Sequence, residues 1–300
     1  MLAITGGTGF VGGHLIRIAI ERGHRVRALT RRPQPDQPGV EWIAGALDRP
    51  ESLAALAEGA DAVIHVAGVV NAPDRAGFHA GNVEGTAAML SAARGAGVRR
   101  FIHVSSLAAR EPGLSDYGWS KAESESLVAA SGLDWTVVRP PAIYGAGDRE
   151  MLELFRMARA GIVLLPPGGR LSLIEASDLA RLLLELVPAS ETIGRSYEPH
   201  DDAPAGWDHR DFARLLGTAV GRRVLPLSTP AALLRLASRV ERLARGEGAK
   251  LTADRVRYFC HPDWVVSDGA QVPPEIWRPQ METRAGLRAT ADWYRAAGWL

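Results

Sequence analysis

A glycine-rich stretch directly after the first apolar run constrains this chain more than any other feature. Residues 1–4 are apolar, glycines follow at Gly6, Gly9 and Gly12, and residues 14–20 are again largely apolar. This order predicts a strand, a tight turn and a helix whose N-terminal N–H groups bind a pyrophosphate. One glycine permits the turn, one lets the backbone approach the phosphates, and one lets the helix pack close to the strand. A purely structural turn is the alternative to the predicted dinucleotide site, which comprises Gly6, Thr8, Gly9, Phe10, Val11 and Gly12.

Strand patterns alternate with helical patterns through the first half of the chain. Six strands are predicted, at 1–5, 25–30, 40–44, 62–66, 101–105 and 135–139. After the first helix, further helices are predicted at 51–58, 82–96, 117–130, 150–160 and 176–186. This alternation predicts an α/β fold of the Rossmann type, with a doubly wound parallel sheet. Residues 1–165 are predicted to form the dinucleotide-binding domain, with 171–187 returning to it, and 188–300 to form mainly a smaller C-terminal substrate-binding region.

Charge and composition exclude several classes of protein. The 35 Lys and Arg residues nearly balance the 34 Asp and Glu residues, so a nucleic-acid partner is not expected. The single cysteine, Cys260, fits a reducing compartment, and no apolar run approaches the roughly 18 residues of a membrane span. We therefore expect a cytoplasmic protein without an integral membrane span. Residues 230–245 are basic and amphipathic; we expect their Leu and Val face to pack on the domain, and a helix that meets lipid is the alternative.

The second strong pattern is a tyrosine and a lysine four positions apart, Tyr117 and Lys121. On a helix these side chains share one face, and a nearby ammonium lowers the pKa of a phenol, which makes tyrosine a usable acid or base. Ser105 and Ser106 close the predicted fifth strand, at the sheet edge where open α/β folds bind ligands. One of these serines is expected to hydrogen-bond the substrate, with helix or loop capping as the alternative.

Taken in order, the motifs resemble those of the extended short-chain dehydrogenases/reductases, the NAD-dependent epimerase/dehydratase superfamily. The resemblance covers nearly the whole chain and is closest to the 3β-hydroxysteroid-dehydrogenase-like and flavonol-reductase-like branches. The blocks that carry it are TGGTGFVG at 5–12, DAVIHVAG at 61–68, NVEGT at 82–86, YGWSK at 117–121, RPPAIYGAGD at 139–148, SLIEASDLA at 172–180 and WRP at 277–279.

The resemblance implies a role for each matching residue. Tyr117 would be the general acid/base, and Lys121 would lower its pKa and hold the nicotinamide ribose. Ser106 would orient the substrate, with Ser105 as the second choice. Asn82 matches an asparagine that in many members holds a proton-relaying water; a helix N-cap is the alternative. Further cofactor contacts are implied for Ala67, Gly68, Pro140 and Ile143.

The loop after the second strand indicates which nicotinamide cofactor is preferred. Sites that prefer NAD place an Asp or Glu there to bind the ribose 2′-hydroxyl, whereas this chain has Arg31 and Arg32 after Thr30. An arginine suits a 2′-phosphate, so NADP(H) is predicted over NAD(H), with Arg31 ahead of Arg32. A basic loop in water is the alternative. Leu47 is expected to pack on the adenine, whereas Asp48 lies two places later than the family's usual aspartate.

The predicted reaction is reversible hydride transfer between NADP(H) and a ketone or secondary alcohol, because nicotinamides carry hydride chemistry. Apolar residues dominate between 141 and 169, which favours a bulky, steroid-, polyketide- or lipid-like substrate. A nucleotide-sugar epimerase or dehydratase with retained NAD(P) is the main alternative. A non-catalytic cofactor-binding sensor is a minor one.

The histidines are predicted to be structural. His65 and His103 lie within strand patterns, where a buried, hydrogen-bonded ring is the common case. The chain has no H-E-x-x-H or C-x-x-C motif, so no catalytic metal is predicted. The expected partner is a small-molecule substrate, and the family resemblance leaves a homodimer open.

Overall fold

The computed structural model describes residues 1–246 and 251–300. Its strands are β1 Leu2–Thr5, β2 Val26–Thr30, β3 Val40–Ala44, β4 Ala62–His65, β5 Arg100–Val104, β6 Asp134–Val138, β7 Ala142–Tyr144, β8 Ile162–Leu165, β9 Arg170–Leu171, β10 Leu173–Glu175, β11 Arg195–Tyr197, β12 Trp207–Asp208, β13 Leu225–Ser228 and β14 Asp263–Trp264. Its α-helices are α1 Phe10–Glu21, α2 Pro50–Ala57, α3 Arg75–Phe78, α4 Gly85–Gly95, α5 Asp116–Ala129, α6 Leu152–Ala160, α7 Ala176–Glu185, α8 His209–Val220, α9 Ala231–Arg245, α10 Ala253–Phe259 and α11 Thr283–Ala296.

The chain packs into two compact units. The first comprises Met1–Pro140, Ser177–Pro199 and Ala270–Arg278, and the second comprises Pro141–Ala176, His200–Gly269 and Pro279–Leu300. Each unit therefore draws on separate stretches of the sequence. The assignment of cofactor and substrate binding to separate parts of the chain stays a prediction.

The first unit is built on a parallel sheet, as the alternating sequence pattern predicts. Within the described residues it has seven strands in the order β11-β6-β5-β4-β1-β2-β3, and each neighbouring pair is parallel. The Rossmann-type fold and the six predicted strands are confirmed. The seventh strand, β11, lies beyond the predicted set and pairs with β6 at the edge.

The strands at the centre of this sheet are apolar because helices cover both of their faces. All four residues of β1 and of β4 are buried, which is typical of parallel strands between two helical layers. One core cluster joins β4 and β5 to helices α2 and α4 through Leu53, Leu56, Val63, Met89 and Phe101, all fully buried. A rigid sheet therefore supports the loops at the carboxyl ends of its strands.

The second unit contains small sheets and its own core. Strands β7 and β10 pair in parallel, β8 pairs with β13, and β9 lies between β12 and β14. Helices α6, α8 and α11 enclose a core that includes Tyr144, Phe155, Phe212, Leu216 and Tyr294. Among the residues that the structure describes, no helix combines the length and the apolar character needed to cross a bilayer.

Helix α9 corrects one expectation from the sequence. We expected its Leu and Val face to pack on the domain, but Leu233, Leu236, Val240 and Leu243 are exposed. Ser238 of this helix is buried instead, at 3% exposure. The amphipathic pattern predicts the helix correctly, but it does not show which face points inward.

Candidate active site

The glycine turn between β1 and α1 has no room for larger residues. Gly6 has a φ of +74°, a conformation that L side chains rarely adopt, and a Cβ on it would lie 2.7 Å from the backbone nitrogen of Ala67. A Cβ on Gly12 would collide with the carbonyl oxygen of Gly6. The turn therefore brings the start of α1 close against the end of β1.

The N-terminus of α1 has the features of an anion site. Gly9 caps the helix without a side chain, and Thr8 and Gly9 are both exposed. Gly13 donates the first backbone bond of the helix, to the Gly9 carbonyl, so the N–H groups of Phe10, Val11 and Gly12 precede the regular ladder. N–H groups that make no hydrogen bond within the helix, together with the positive end of the helix dipole, favour the binding of a pyrophosphate. The residues present therefore fit a dinucleotide.

Other predicted cofactor residues lie at the carboxyl ends of β2, β3 and β4. Arg31 and Arg32 are exposed immediately after β2. Leu47 is half-buried, and a Cβ on Gly85 at the start of α4 would touch its side chain. Ala67 donates its backbone N–H to Thr5 Oγ1 over 3.2 Å, which fastens the loop after β4 to the end of β1.

Lys121 lies inside the first unit rather than on its surface. The side chain is 4% exposed, and its Nζ donates to the carbonyl oxygen of Val104 over 2.8 Å. Burial lowers the pKa of Lys121 to about 8, and the nearby Glu125 carboxylate raises it in part. The ammonium is thus held at the end of β5 with a pKa close to neutrality.

Tyr117 occupies the position expected of an acid/base next to this lysine. It lies one turn before Lys121 on α5, is half-buried, and its ring centroid is 6.0 Å from that of Phe78. Ser115 caps α5 by accepting the N–H of Gly118, which fixes where the helix begins. The structure therefore places the phenol and the ammonium on one face of one helix.

The side chain of Asn82 is held by hydrogen bonds at both its amide oxygen and its amide nitrogen. Its Oδ1 accepts the N–H of Val69 over 2.7 Å, and its Nδ2 donates to Val69 O over 3.0 Å and to Ser120 Oγ over 2.9 Å. It lies inside a π-helical segment, His79–Glu84, so the N-cap alternative is wrong. A Cβ on Gly68 would lie 2.9 Å from Asn82 Oδ1 and 3.7 Å from Lys121 Nζ. Asn82, Gly68 and Lys121 are thus brought together.

The two candidate serines differ in what their hydroxyls contact. Ser105 is buried, and its Oγ donates to Glu125 Oε1. Ser106 is half-buried, and its Oγ accepts the N–H of Ala108 as the cap of a short 3₁₀ segment, over 3.2 Å. A hydroxyl that accepts a bond through a lone pair can still donate its own proton. The Ser105 proton is therefore given to Glu125, whereas the contact of Ser106 with a substrate oxygen stays a prediction.

A charged network beside the lysine was not predicted from the sequence. Arg139 donates Nε and Nη2 bonds to both carboxylate oxygens of Glu125, over 2.6–3.1 Å. Glu198, which is 1% exposed, lies between Arg139 and Arg110. One signal was available: Glu125 falls four residues after Lys121, on the same face of α5. Nothing local marks Glu198, because it is distant in sequence.

The two strand histidines are buried and hydrogen-bonded, as expected. His65 and His103 are both fully buried and stack with ring centroids 5.5 Å apart. His65 contacts Thr5 Oγ1 and Thr86 Oγ1, and burial lowers its pKa to about 3. Burial and the neighbouring Lys121 also hold the pKa of His103 well below its usual value. Among the described residues, no three His, Cys, Asp or Glu side chains form a group that could hold a metal ion.

The last two predicted cofactor residues belong to different units. Pro140 is buried at the end of a stretch of the first unit, and its carbonyl accepts the N–H of Leu107 over 2.9 Å. Ile143 is half-buried in β7 of the second unit. The proposed contacts of both residues with the nicotinamide stay predictions.

A parallel sheet, a glycine turn at a helix N-terminus and a buried lysine one turn after a tyrosine define a nicotinamide-dependent oxidoreductase. A family profile described as NAD(P)H-binding matches residues 6–187. The chain belongs to the extended short-chain dehydrogenases/reductases and is an NAD(P)-dependent enzyme of that type.

Individual relatives agree with this assignment. The chain is 38% identical to a ceramide reductase from Caulobacter vibrioides, over 100% of this chain and 96% of the relative. It is 28% identical to a 3-beta-hydroxysteroid dehydrogenase from Mycolicibacterium neoaurum, over 74% of this chain and 70% of the relative. The solved structure of MoeE5 in complex with UDP-glucose and NAD matches with a TM-score of 0.77 at 20% identity, over 99% of each chain. At that identity the structural likeness shows the fold alone.

Proposed function

We propose that this enzyme reduces a ketone on a bulky, lipid-like substrate with NADP(H). The observation that carries the proposal is the pairing of Tyr117 with a lysine buried to 4% exposure, at the carboxyl end of the parallel sheet. The relatives named for ceramide and for a 3-beta-hydroxysteroid support a large apolar substrate, because both names denote lipids.

Several side chains have separate roles in the proton transfer of the proposed reaction. Bound NADP(H) supplies the hydride in reduction and accepts it in oxidation. Tyr117 donates a proton to the carbonyl oxygen as charge develops there, and Ser106 donates a hydrogen bond to the same oxygen. The Lys121 ammonium stabilises the phenolate that remains, so it makes Tyr117 a stronger acid. Asn82 holds the loop at Gly68 and Val69 in place beside the lysine.

The preference for NADP(H) follows from the charges after β2. Arg31 and Arg32 are both exposed at the carboxyl end of the strand, and neither of the next two residues is an acid. A guanidinium binds a phosphate through charge-assisted bonds, often in a bidentate manner. This pair of arginines would therefore favour NADP(H), which carries a 2′-phosphate, over NAD(H), which does not.

A panel of ketones tests the proposal with purified protein. We expect NADPH-dependent turnover of a long-chain ketolipid or a ketosteroid. Tyr117→Phe should lower kcat by about 10²–10⁴ with NADPH binding retained, whereas the control Tyr197→Phe should leave kcat unchanged. Arg31→Ala with Arg32→Ala should weaken NADPH far more than NADH, and Arg25→Ala, before the amino end of β2, should weaken neither.

Other outcomes would contradict the proposal. Full activity in Tyr117→Phe would remove the tyrosine from the mechanism. An equal loss of both cofactors in the arginine variant would remove the 2′-phosphate argument. Tight binding of a sugar nucleotide, with cofactor retained through purification and no turnover of apolar ketones, would make the epimerase or dehydratase alternative the better assignment.

A further inference from the structure

Helix α9 presents its apolar side outward. Leu233, Leu236, Val240 and Leu243 are 55%, 55%, 58% and 87% exposed, whereas Ser238 is 3% exposed. Surface helices ordinarily bury an apolar stripe and leave the polar face in water. In α9 a serine points toward the unit and the aliphatic side chains point away from it.

The spacing of these residues confirms that they form one stripe. Leu233, Leu236, Val240 and Leu243 follow one another at intervals of three, four and three residues. At about 100° per residue, this spacing keeps all four on one side of a helix and sets Ser238 on the opposite side. The stripe therefore runs along most of α9, on the side opposite the buried Ser238.

A second apolar face is formed by β8 and by β13, the strand that directly precedes α9 in the chain. Ile162 and Leu164 of β8 are exposed, as are Leu225 and Leu227 of β13. Ile162 is paired with Leu225 and Leu164 with Leu227, so the four side chains share one face of this small parallel sheet. Among the described residues, eight of the eleven large apolar side chains that are exposed belong to this face or to the α9 stripe. Exposure of this extent marks an interaction surface.

The charges around these apolar residues identify the partner. Residues 221–245 contain six arginines and one glutamate, whereas the whole chain carries a net charge of only +1. Arg235, Arg239 and Arg242 are exposed on α9 itself. A helix with an apolar face and arginines on its polar side suits the interface of an anionic membrane. A second copy of this segment would instead bring arginines against arginines.

We propose that the α9 stripe and the β8–β13 face dock this enzyme on the surface of an anionic phospholipid bilayer. The aliphatic side chains enter the boundary between headgroups and acyl chains, and the arginines contact the phosphates. Helix α9 has 15 residues and so spans about 22 Å, less than the roughly 30 Å hydrocarbon core, so it lies along the surface. The proposal concerns location and stands apart from the substrate proposed above.

Vesicle co-sedimentation of this 300-residue chain tests the docking and needs no turnover. We expect binding to vesicles of equal parts phosphatidylglycerol and phosphatidylcholine, and much weaker binding to phosphatidylcholine alone. The Leu236→Gln and Leu243→Gln double variant should lower the partition coefficient about tenfold or more, because two aliphatic side chains that would enter the bilayer are lost. Arg239→Gln should lower it less, and added salt should weaken binding.

Controls separate docking from folding and from self-association. Ile193→Gln removes an exposed aliphatic side chain from the first unit and should leave vesicle binding unchanged. NADPH affinity and the melting temperature should be the same in all variants, because the altered side chains are exposed. Any of three results would overturn the proposal: no binding to the anionic vesicles, equal binding to phosphatidylcholine alone, or a dimer that the double variant converts to monomer without any change in vesicle binding.

Discussion

Lys121 shows how a single buried charge couples the fold to the chemistry. Folding lowers its pKa to about 8 from an ordinary value of 10.5, so Lys121 loses its proton at a lower pH in the folded protein than in the unfolded chain. Between these two values the unfolded chain binds more protons, and this residue's contribution to the free energy of unfolding therefore rises with pH. Below about pH 8 the folded protein carries the full cost of a buried ammonium, which the Val104 carbonyl and Glu125 reduce.

The lowered pKa of Lys121 also predicts how kcat for reduction depends on pH. Above about pH 8 Lys121 loses its charge and Tyr117 becomes a weaker acid, so kcat should fall. Glu125→Gln removes the charge that raises the lysine pKa, and the alkaline limb of the pH–rate profile should move to lower pH. Glu123→Gln, an exposed change on the same helix, should leave the limb in place. An unmoved limb in Glu125→Gln would exclude Lys121 as the group that titrates.

The sequence identified the candidate groups in this region but not all of their partners. Tyr117 and Lys121 were predicted together because helical spacing is local. The bonds of Ser105 to Glu125, and of Asn82 to Val69, depend on loops that meet only in the folded sheet. Sequence spacing alone therefore could not show that Ser105 is bonded to Glu125 whereas Ser106 caps a short 3₁₀ segment, and the choice of Ser106 as the substrate serine stays a prediction.

At the scale of elements, the turn between β1 and α1 depends on how closely the helix approaches the strand. The contact of Gly12 with Gly6 is between backbones, so neither residue can move aside for a Cβ without shifting the helix. The next residue, Gly13, is exposed on the helix, and a Cβ added to it would meet no atom within 4 Å. Gly12 therefore has no space for a larger residue, whereas the adjacent Gly13 does.

Alanine at each glycine provides a matched pair. Gly12→Ala should lower the free energy of unfolding by about 3 kcal/mol and weaken NADPH binding, because the added methyl overpacks the turn. Gly13→Ala should raise it by up to about 1 kcal/mol, since alanine is the better helix former. Chemical denaturation and cofactor titration measure both effects. Equal stabilities for the two variants would show that α1 does not need its close approach to β1.

Within the parallel sheet and the helices beside it, element prediction succeeded where the apolar pattern was strong and failed where it was absent. The predicted strand at 40–44 matches β3 residue for residue. The edge strand β11 is only three residues long and reads Arg-Ser-Tyr, so it lacks an apolar pattern. The predicted helix at 82–96 begins within a π-helical segment, whose wider turn has no sequence signature. Strand β11 and the π-helical segment both depend on contacts with distant parts of the chain, which local sequence patterns do not show.

At the scale of the whole molecule, the first unit is complete only when the stretch Ser177–Pro199 returns to the sheet. Arg100 of β5 makes this connection from a position 9% exposed to solvent. Its guanidinium donates to the carbonyls of Leu186 and Val187 and to the hydroxyl of Thr192 in the returning stretch. It also donates to strand β6, so one side chain ties the sheet to a segment about ninety residues away in sequence.

Replacing this arginine should separate the returning stretch from the sheet. Arg100→Met keeps the length of the side chain but leaves buried carbonyl and hydroxyl groups without their donor, so the free energy of unfolding should fall by about 3 kcal/mol or more. Arg99→Met is the matched control, because Arg99 pairs with Asp134 on the surface with its side chain 68% exposed, and its loss should change little. Urea denaturation followed by tryptophan fluorescence measures both variants, and hydrogen exchange at β11 reports whether the edge strand opens first. If Arg100→Met were as stable as Arg99→Met, then the pairing of β11 with β6 and apolar packing would suffice to hold the returning stretch, and the buried guanidinium would have no part in closing the sheet.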